Sequence, residues 1–214
     1  MIEITEKMLT ELRKQIAGRM SSKRLRHTLA VEDMAARLCA LYCPEKESLL
    51  RAAALLHDLT KELSLEEQIR LCKENGISLC EQDLHAPKTL HARTAAAIIP
   101  SAFPDFADPT VIGAVRWHTV GRAGMTLPEQ LLYLADYIDE SRTFENCVRL
   151  RHAFWDANPE DLPFDLRLSH LYRILLLSFQ MTINDLLAEE ALISSETIAA
   201  RNELLLLLNT ASKH

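Results

Sequence analysis

The chain has 214 residues, 48% of them hydrophobic and 25% charged, with a formal net charge of −6. That balance suits one soluble, cytoplasmic globular domain with a core of its own. The acidic total speaks against broad binding to nucleic acid or to a membrane surface. No stretch approaches the roughly 20 apolar residues of a membrane span.

Glycine is scarce (5 residues) and Leu, Ala, Glu and Arg dominate, which favours helices. The N-terminal segment mixes charges with apolar residues and lacks a signal-peptide core. The five cysteines (39, 43, 72, 80 and 147) form no C-x-x-C pair and read as reduced, mostly buried thiols.

Taken in chain order, the apolar spacing is helical nearly throughout. Ile4, Met8, Leu12 and Ile16 make one stripe of a helix over residues 4–18. A second helix is predicted over 22–42 and carries His27. A third runs from Glu47 to Asp58, and a fourth starts at Ser64, with Glu67 completing a capping box, and stops at Asn75-Gly76. Residues 77–88 are irregular. Helical spacing resumes at His91 and is expected to break at Pro100 and Pro104. Further helices are predicted over 109–118, 127–140, 144–157, 165–188 and 195–209, with a two-glycine loop at 118–125. No strand alternation and no repeat is present. The expectation is a single all-α domain over 1–214, with a core of about 20–158 and C-terminal helices packed on it.

The stretch "ALLHDLTK" (54–61) ends a buried helix face in an imidazole, a carboxylate and an ammonium. Buried charge needs a partner. Asp136, in the apolar "LLYLADYID", raises the same question. Imidazoles and carboxylates together bind first-row metals. One carboxylate can bridge two ions, and two ions about 3.5–4 Å apart acidify a shared water and stabilise displacement at phosphorus. Lys61 lies one turn beyond the His57-Asp58 pair, where it could meet phosphate. Taken singly, each of these residues has an ordinary packing or ion-pair explanation, and so do His85, His152, His170 and His214. Arg149 and Arg151 read as a solvated helix face.

The order His27, His57-Asp58, Asp136 resembles the HD-domain superfamily of metal-dependent phosphohydrolases, and His91 and His118 resemble its binuclear branch. "RLRHTLAV", "HDLTK", "LHARTAAA", "VRWHTVGRAGMTLPEQLLYLADYIDESR" and "TINDLLAEEALISSETIAARN" look like successive blocks of the bacterial YqeK family over about residues 20–205. The resemblance implies symmetrical hydrolysis of diadenosine tetraphosphate. It implies His27, His57, Asp58, His91, His118 and Asp136 as metal ligands, with Asp58 bridging two ions that are iron, or else manganese, cobalt or zinc. Asp58, Lys61 and Arg142 would be catalytic, and Lys61, Thr119, Gly121, Arg122 and Arg142 would meet the substrate. The chain departs from the family at Ala92 and at Asp139, Glu140 and Ser141, so the turn before Arg142 is its own. The remaining alternatives are another HD phosphohydrolase (a nucleotidase or cyclic-nucleotide phosphodiesterase), a di-iron oxygenase, or a non-catalytic nucleotide-sensing module. A homodimer is possible through exposed apolar helix faces such as Leu204 to Leu208.

Overall fold

The structure, a computed structural model, describes residues 3–211. Its helices are α1 (Glu6–Ala17), α2 (Ser22–Tyr42), α3 (Glu47–Leu56), α4 (Leu65–Glu74), α5 (Glu81–His85) and α6 (Leu90–Ala102). They are followed by α7 (Pro109–Trp117), α8 (Leu127–Ile138), α9 (Glu145–Trp155), α10 (Phe164–Ala188) and α11 (Ser195–Ala211). No strand occurs among the described residues, so the fold is all-α.

Helix α3 is the hub, packed by α1, α2, α7 and α8. Ala52, Ala53, Ala54, Leu55 and Leu56 are all fully buried. Three consecutive alanines let neighbouring backbones come close on every side, while the adjoining leucines supply the apolar area, about 1.5–3 kcal/mol for each leucine buried. Glu32 of α2 is buried too, and it is matched by two guanidiniums. Arg13 of α1 approaches to 2.5 Å and Arg51 of α3 to 3.1 Å, tying three helices together at one carboxylate.

Several contacts fasten the C-terminal helices to this core, among them a ring stack and a pair of hydrogen bonds. Phe179 of α10 stacks on Tyr133 of α8 with ring centroids 4.5 Å apart. Tyr42 donates to the carbonyl of Arg167, whose guanidinium in turn bonds the carbonyl of Leu41.

Three local expectations are corrected. Helix α3 stops at Leu56 rather than Asp58, because the chain tightens into three-residue turns: Leu59 N–H bonds Leu56 C=O, and Lys61 N–H bonds Asp58 C=O. Pro100 does not break α6. It lies in the last turn, where only one bond is forfeited, and burial of Ile99 and Phe103 carries the helix to Ala102. The irregular 77–88 region contains the short α5 and a single turn at Pro87–Thr89.

The capping boxes Ser64–Glu67 and Thr126–Glu129 start α4 and α8. Cys39, Cys43, Cys72 and Cys147 are buried free thiols and Cys80 is exposed. No helix among the described residues is long and apolar enough to cross a membrane.

Candidate active site

The tight turns after α3 swing His57 and Asp58 to the same side. Both are buried, at 0% and 4% exposure. His91 opens α6 and His118 closes α7, so three helix ends meet here. Each of these imidazoles rests on its own local backbone. Nδ1 of His57 donates to the carbonyl of Ala54 at 2.6 Å, that of His118 to Val115 at 2.6 Å, and that of His91 to Lys88 at 2.8 Å. Such bonds fix the ring and aim Nε2 at the centre.

The two oxygens of Asp58 face different imidazoles. Oδ1 lies 3.2 Å from Nε2 of His91 and 3.8 Å from that of His118. Oδ2 lies 3.4 Å from Nε2 of His57 and 3.7 Å from that of His27. Asp136, on α8, closes the second side: Oδ1 is 2.9 Å from His27 Nε2 and 3.7 Å from His57 Nε2. Behind His27, Asp139 Oδ2 lies 3.4 Å from Nδ1.

Charge is concentrated accordingly. Burial alone would lower the pKa of His57, but Asp58 and Asp136 outweigh it and raise it to about 10. His118 moves the other way: burial, then the neighbouring His57 and His91, push it down to about 3. Burial works to raise Asp58 and Asp136, yet His57 beside the first and Arg142 beside the second hold both well below the usual carboxylate range. Burial lowers Lys61.

The donor set fits metal ions. The buried Nε2 atoms of His27 and His57 have no hydrogen-bond partner. Ligand atoms of His27, His57 and Asp136 lie within 4.8 Å of one another, as do those of His57, Asp58 and His118. Nε2 of His91 and Nε2 of His118, both rings braced at Nδ1, approach to 3.1 Å. Four imidazoles and two carboxylates are the donors that borderline first-row ions take.

All six expected ligands are therefore in one place, and so are three of the five expected substrate-side residues. Lys61 Nζ is 3.3 Å from His91. Thr119 Oγ1 is 3.2 Å from Nε2 of His91 and 3.1 Å from that of His118. Arg142 reaches Asp136 Oδ1 at 2.5 Å despite its altered turn.

Gly121 and Arg122 are engaged elsewhere. Gly121 adopts φ +66° where an added Cβ would run into Phe179, and one guanidinium nitrogen of Arg122 bonds both carboxylate oxygens of the buried Glu129. Arg151 corrects its solvated reading. It bonds the carbonyls of Ile138, Asp139 and Arg142 and so shapes the turn that carries Arg142. Arg149, His85 and His152 are exposed. His170 bonds the Phe154 carbonyl, and His214 lies outside the described residues.

Sequence reasoning missed Arg24, whose guanidinium meets Asp58 Oδ2 at 2.5 Å. Its signal was present in "RLRH": Arg24 precedes His27 by three residues, on the same helix face. It also missed Thr60, which bonds the His91 carbonyl at 3.0 Å and so ties the turn after α3 to the backbone of α6.

A family model of the HD domain matches residues 24–141, more than half of the chain and the whole span of the cluster. This chain belongs to the HD-domain family. Among curated relatives of this HD protein, one from Halalkalibacterium halodurans named "Bis(5'-nucleosyl)-tetraphosphatase, symmetrical" is 30% identical over 87% of this chain and 91% of its own. A Bacillus subtilis relative of the same name is 29% identical over 64% of this chain and 72% of its own. A crystal structure of a predicted HD superfamily hydrolase involved in NAD metabolism, from Clostridium acetobutylicum, superposes with a TM-score of 0.78. It is 31% identical and covers 92% of this chain and 96% of that one.

Proposed function

We propose that this HD protein hydrolyses dinucleoside polyphosphates and cuts diadenosine tetraphosphate at its centre into two ADP. The carrying observation is the two-sided approach to Asp58, whose oxygens face separate imidazole pairs, with Lys61, Arg24 and Arg142 around it. The names borne by relatives at about 30% identity support the substrate.

In this reading His27, His57, Asp58, His91, His118 and Asp136 would hold the metal ions. The family resemblance favours iron, and manganese, cobalt and zinc suit the same donors. Bound there, two ions would supply an acidified water and stabilise the charge on phosphate oxygens.

The side chains do the rest. Water adds to one central phosphorus, the bridging P–O bond breaks, and one ADP departs with that oxygen. Lys61, beside His91, places an ammonium against the transferring group. Arg142 and Arg24, each paired with a carboxylate of the cluster, add two planar donors that suit phosphate. Preorganised donors of this kind are worth roughly 3–4 kcal/mol each. The Thr119 hydroxyl supplies a neutral contact between His91 and His118.

The partner is a nucleotide in the cytoplasm, with neither nucleic acid nor membrane. Leu204 is buried, which corrects its reading as part of an exposed face, so a homodimer through this helix would use the exposed Leu206 and Leu207 and would be read by light scattering.

The test is chromatography of products from metal-loaded protein and diadenosine tetraphosphate. ADP alone is expected. AMP with ATP would sink the symmetrical cut, and preferential turnover of mononucleotides or cyclic nucleotides would move the assignment to another HD activity.

A further inference from the structure

Three of the four imidazoles in the cluster are braced by their own backbone, and His27 is the exception. His57, His91 and His118 sit at or beside helix ends, where a carbonyl oxygen is free to accept from Nδ1. His27 lies in the second turn of α2, where the carbonyls behind it belong to the helix ladder. Its Nδ1 has to find a partner on another element. An imidazole that binds metal through one nitrogen needs such a partner at the other, to fix both ring and tautomer.

The partner comes from the end of α8. Asp136 and Asp139 are three residues apart and share a face, and Asp139 caps the helix in extended backbone. Together they hold the ring from both nitrogens: Asp136 Oδ1 is 2.9 Å from Nε2, and Asp139 Oδ2 is 3.4 Å from Nδ1. Asp139 is fully buried, and its Oδ2 makes no hydrogen bond. That oxygen also lies 3.4 Å from Nε of Arg142. The other oxygen, Oδ1, accepts from the Ser141 N–H at 2.8 Å and from the Ser141 hydroxyl. With its proton committed there, Ser141 Oγ can only accept from His27 Nδ1, 3.3 Å away. Both atoms that face Nδ1 therefore favour a proton on it, and Nε2 is left bare.

We infer that Asp139 is a positioning residue, which holds His27 with its proton on Nδ1 and its Nε2 lone pair turned to the metal. The inference rests on the proposed reading of His27 as a ligand and adds the residue that aims it. Asparagine has the same shape but cannot do this. With its amide nitrogen in the place of Oδ2, it points a donor at Nδ1 and favours the wrong tautomer. With that nitrogen in the place of Oδ1, it points a donor at the Ser141 N–H and leaves a buried group without an acceptor.

The test uses zinc, which suits these donors and is diamagnetic. Its affinity is measured by competition with a chromogenic chelator in wild type, Asp139→Asn, Ser141→Ala, His27→Ala and the double variant His27→Ala/Asp139→Asn. Circular dichroism checks that each is folded. Asp139→Asn is expected to weaken zinc about 10–100-fold, and Ser141→Ala less than about threefold. In the His27→Ala background, Asp139→Asn should cost less than about threefold more, because a residue that acts through the ring has nothing left to act on. A merely structural role would cost the same in both backgrounds.

Zinc affinity within threefold of wild type in Asp139→Asn overturns the inference, as does an additive loss in the double variant. A loss in Ser141→Ala equal to that in Asp139→Asn gives the role to the hydroxyl and overturns it too. Nitrogen-15 spectra of the zinc-loaded wild type decide the matter even where Asp139→Asn does not fold: a His27 ring without a proton on Nδ1 overturns it. Wild-type affinity in His27→Ala sinks the proposed ligand set itself, a different result from a loss in His27→Ala with none in Asp139→Asn.

Discussion

His91 and His118 meet through Nε2 atoms 3.1 Å apart, while Nδ1 of each is bonded to a main-chain carbonyl. With the ring protons committed there, two lone pairs face one another beside the Thr119 hydroxyl and the Lys61 ammonium, and a metal ion would take both of them. Metal binding to the folded chain should therefore stabilise it. At a hundredfold excess over Kd the gain is about 2.7 kcal/mol, or roughly 5–10 °C for a chain of this size. Scanning calorimetry with and without a chelator reads this directly. An unchanged Tm after metal loading, in wild type as in His118→Ala, would remove the metal centre from the account.

Asp58→Ala should abolish turnover, with far-ultraviolet circular dichroism unchanged, since the helices around it are held by the α3 core. Turnover at the wild-type rate in the metal-loaded variant would end the proposed mechanism.

Arg24→Ala should lower kcat/KM by about 10²-fold, near the low end of what a preorganised donor contributes. Arg24→Lys should recover only part, because an ammonium cannot reproduce the planar fork. A steady-state comparison of the three proteins is sufficient.

Gly121→Ala should destabilise the fold. A Cβ there would come within 2.6 Å of Phe179 Cζ, and φ is +66°. A left-handed non-glycine residue costs about 1–3 kcal/mol before the clash is counted, so thermal melts should fall by at least several degrees.

Acid should erase one ion pair. Burial works to raise Asp83, but the Cys80 N–H and Arg93, 2.7 Å away, lower it below its ordinary 3.8. A depressed carboxylate stabilises above its unfolded pKa and loses that contribution as pH falls through the folded value. Asp83→Asn should thus destabilise the fold at pH 7 by less than about 1 kcal/mol, seen as a slightly lower Tm. The difference should shrink as pH falls below the ordinary 3.8.

The helices were largely legible because amphipathic spacing, capping boxes and prolines act locally: α2 begins and ends where its pattern does. The six clustered side chains were legible because imidazoles and carboxylates inside apolar helices are conspicuous. What escaped depends on distant partners. Arg122 reads like a phosphate ligand until Glu129 is seen beside it. Arg151 reads as surface until three carbonyls from the preceding turn converge on it. The end of α3 escaped because a change from four-residue to three-residue bonding leaves no mark in apolar periodicity.

His57, His91 and His118 all lean on the peptide oxygen three positions behind them. Each ring therefore carries its own scaffold, and its aim is decided before the segments ever dock. Tertiary assembly has only to bring three prefabricated tips together. Substitutions that slide one helix along another should misalign the tips as units, changing the spacing of the centre without loosening any single ring.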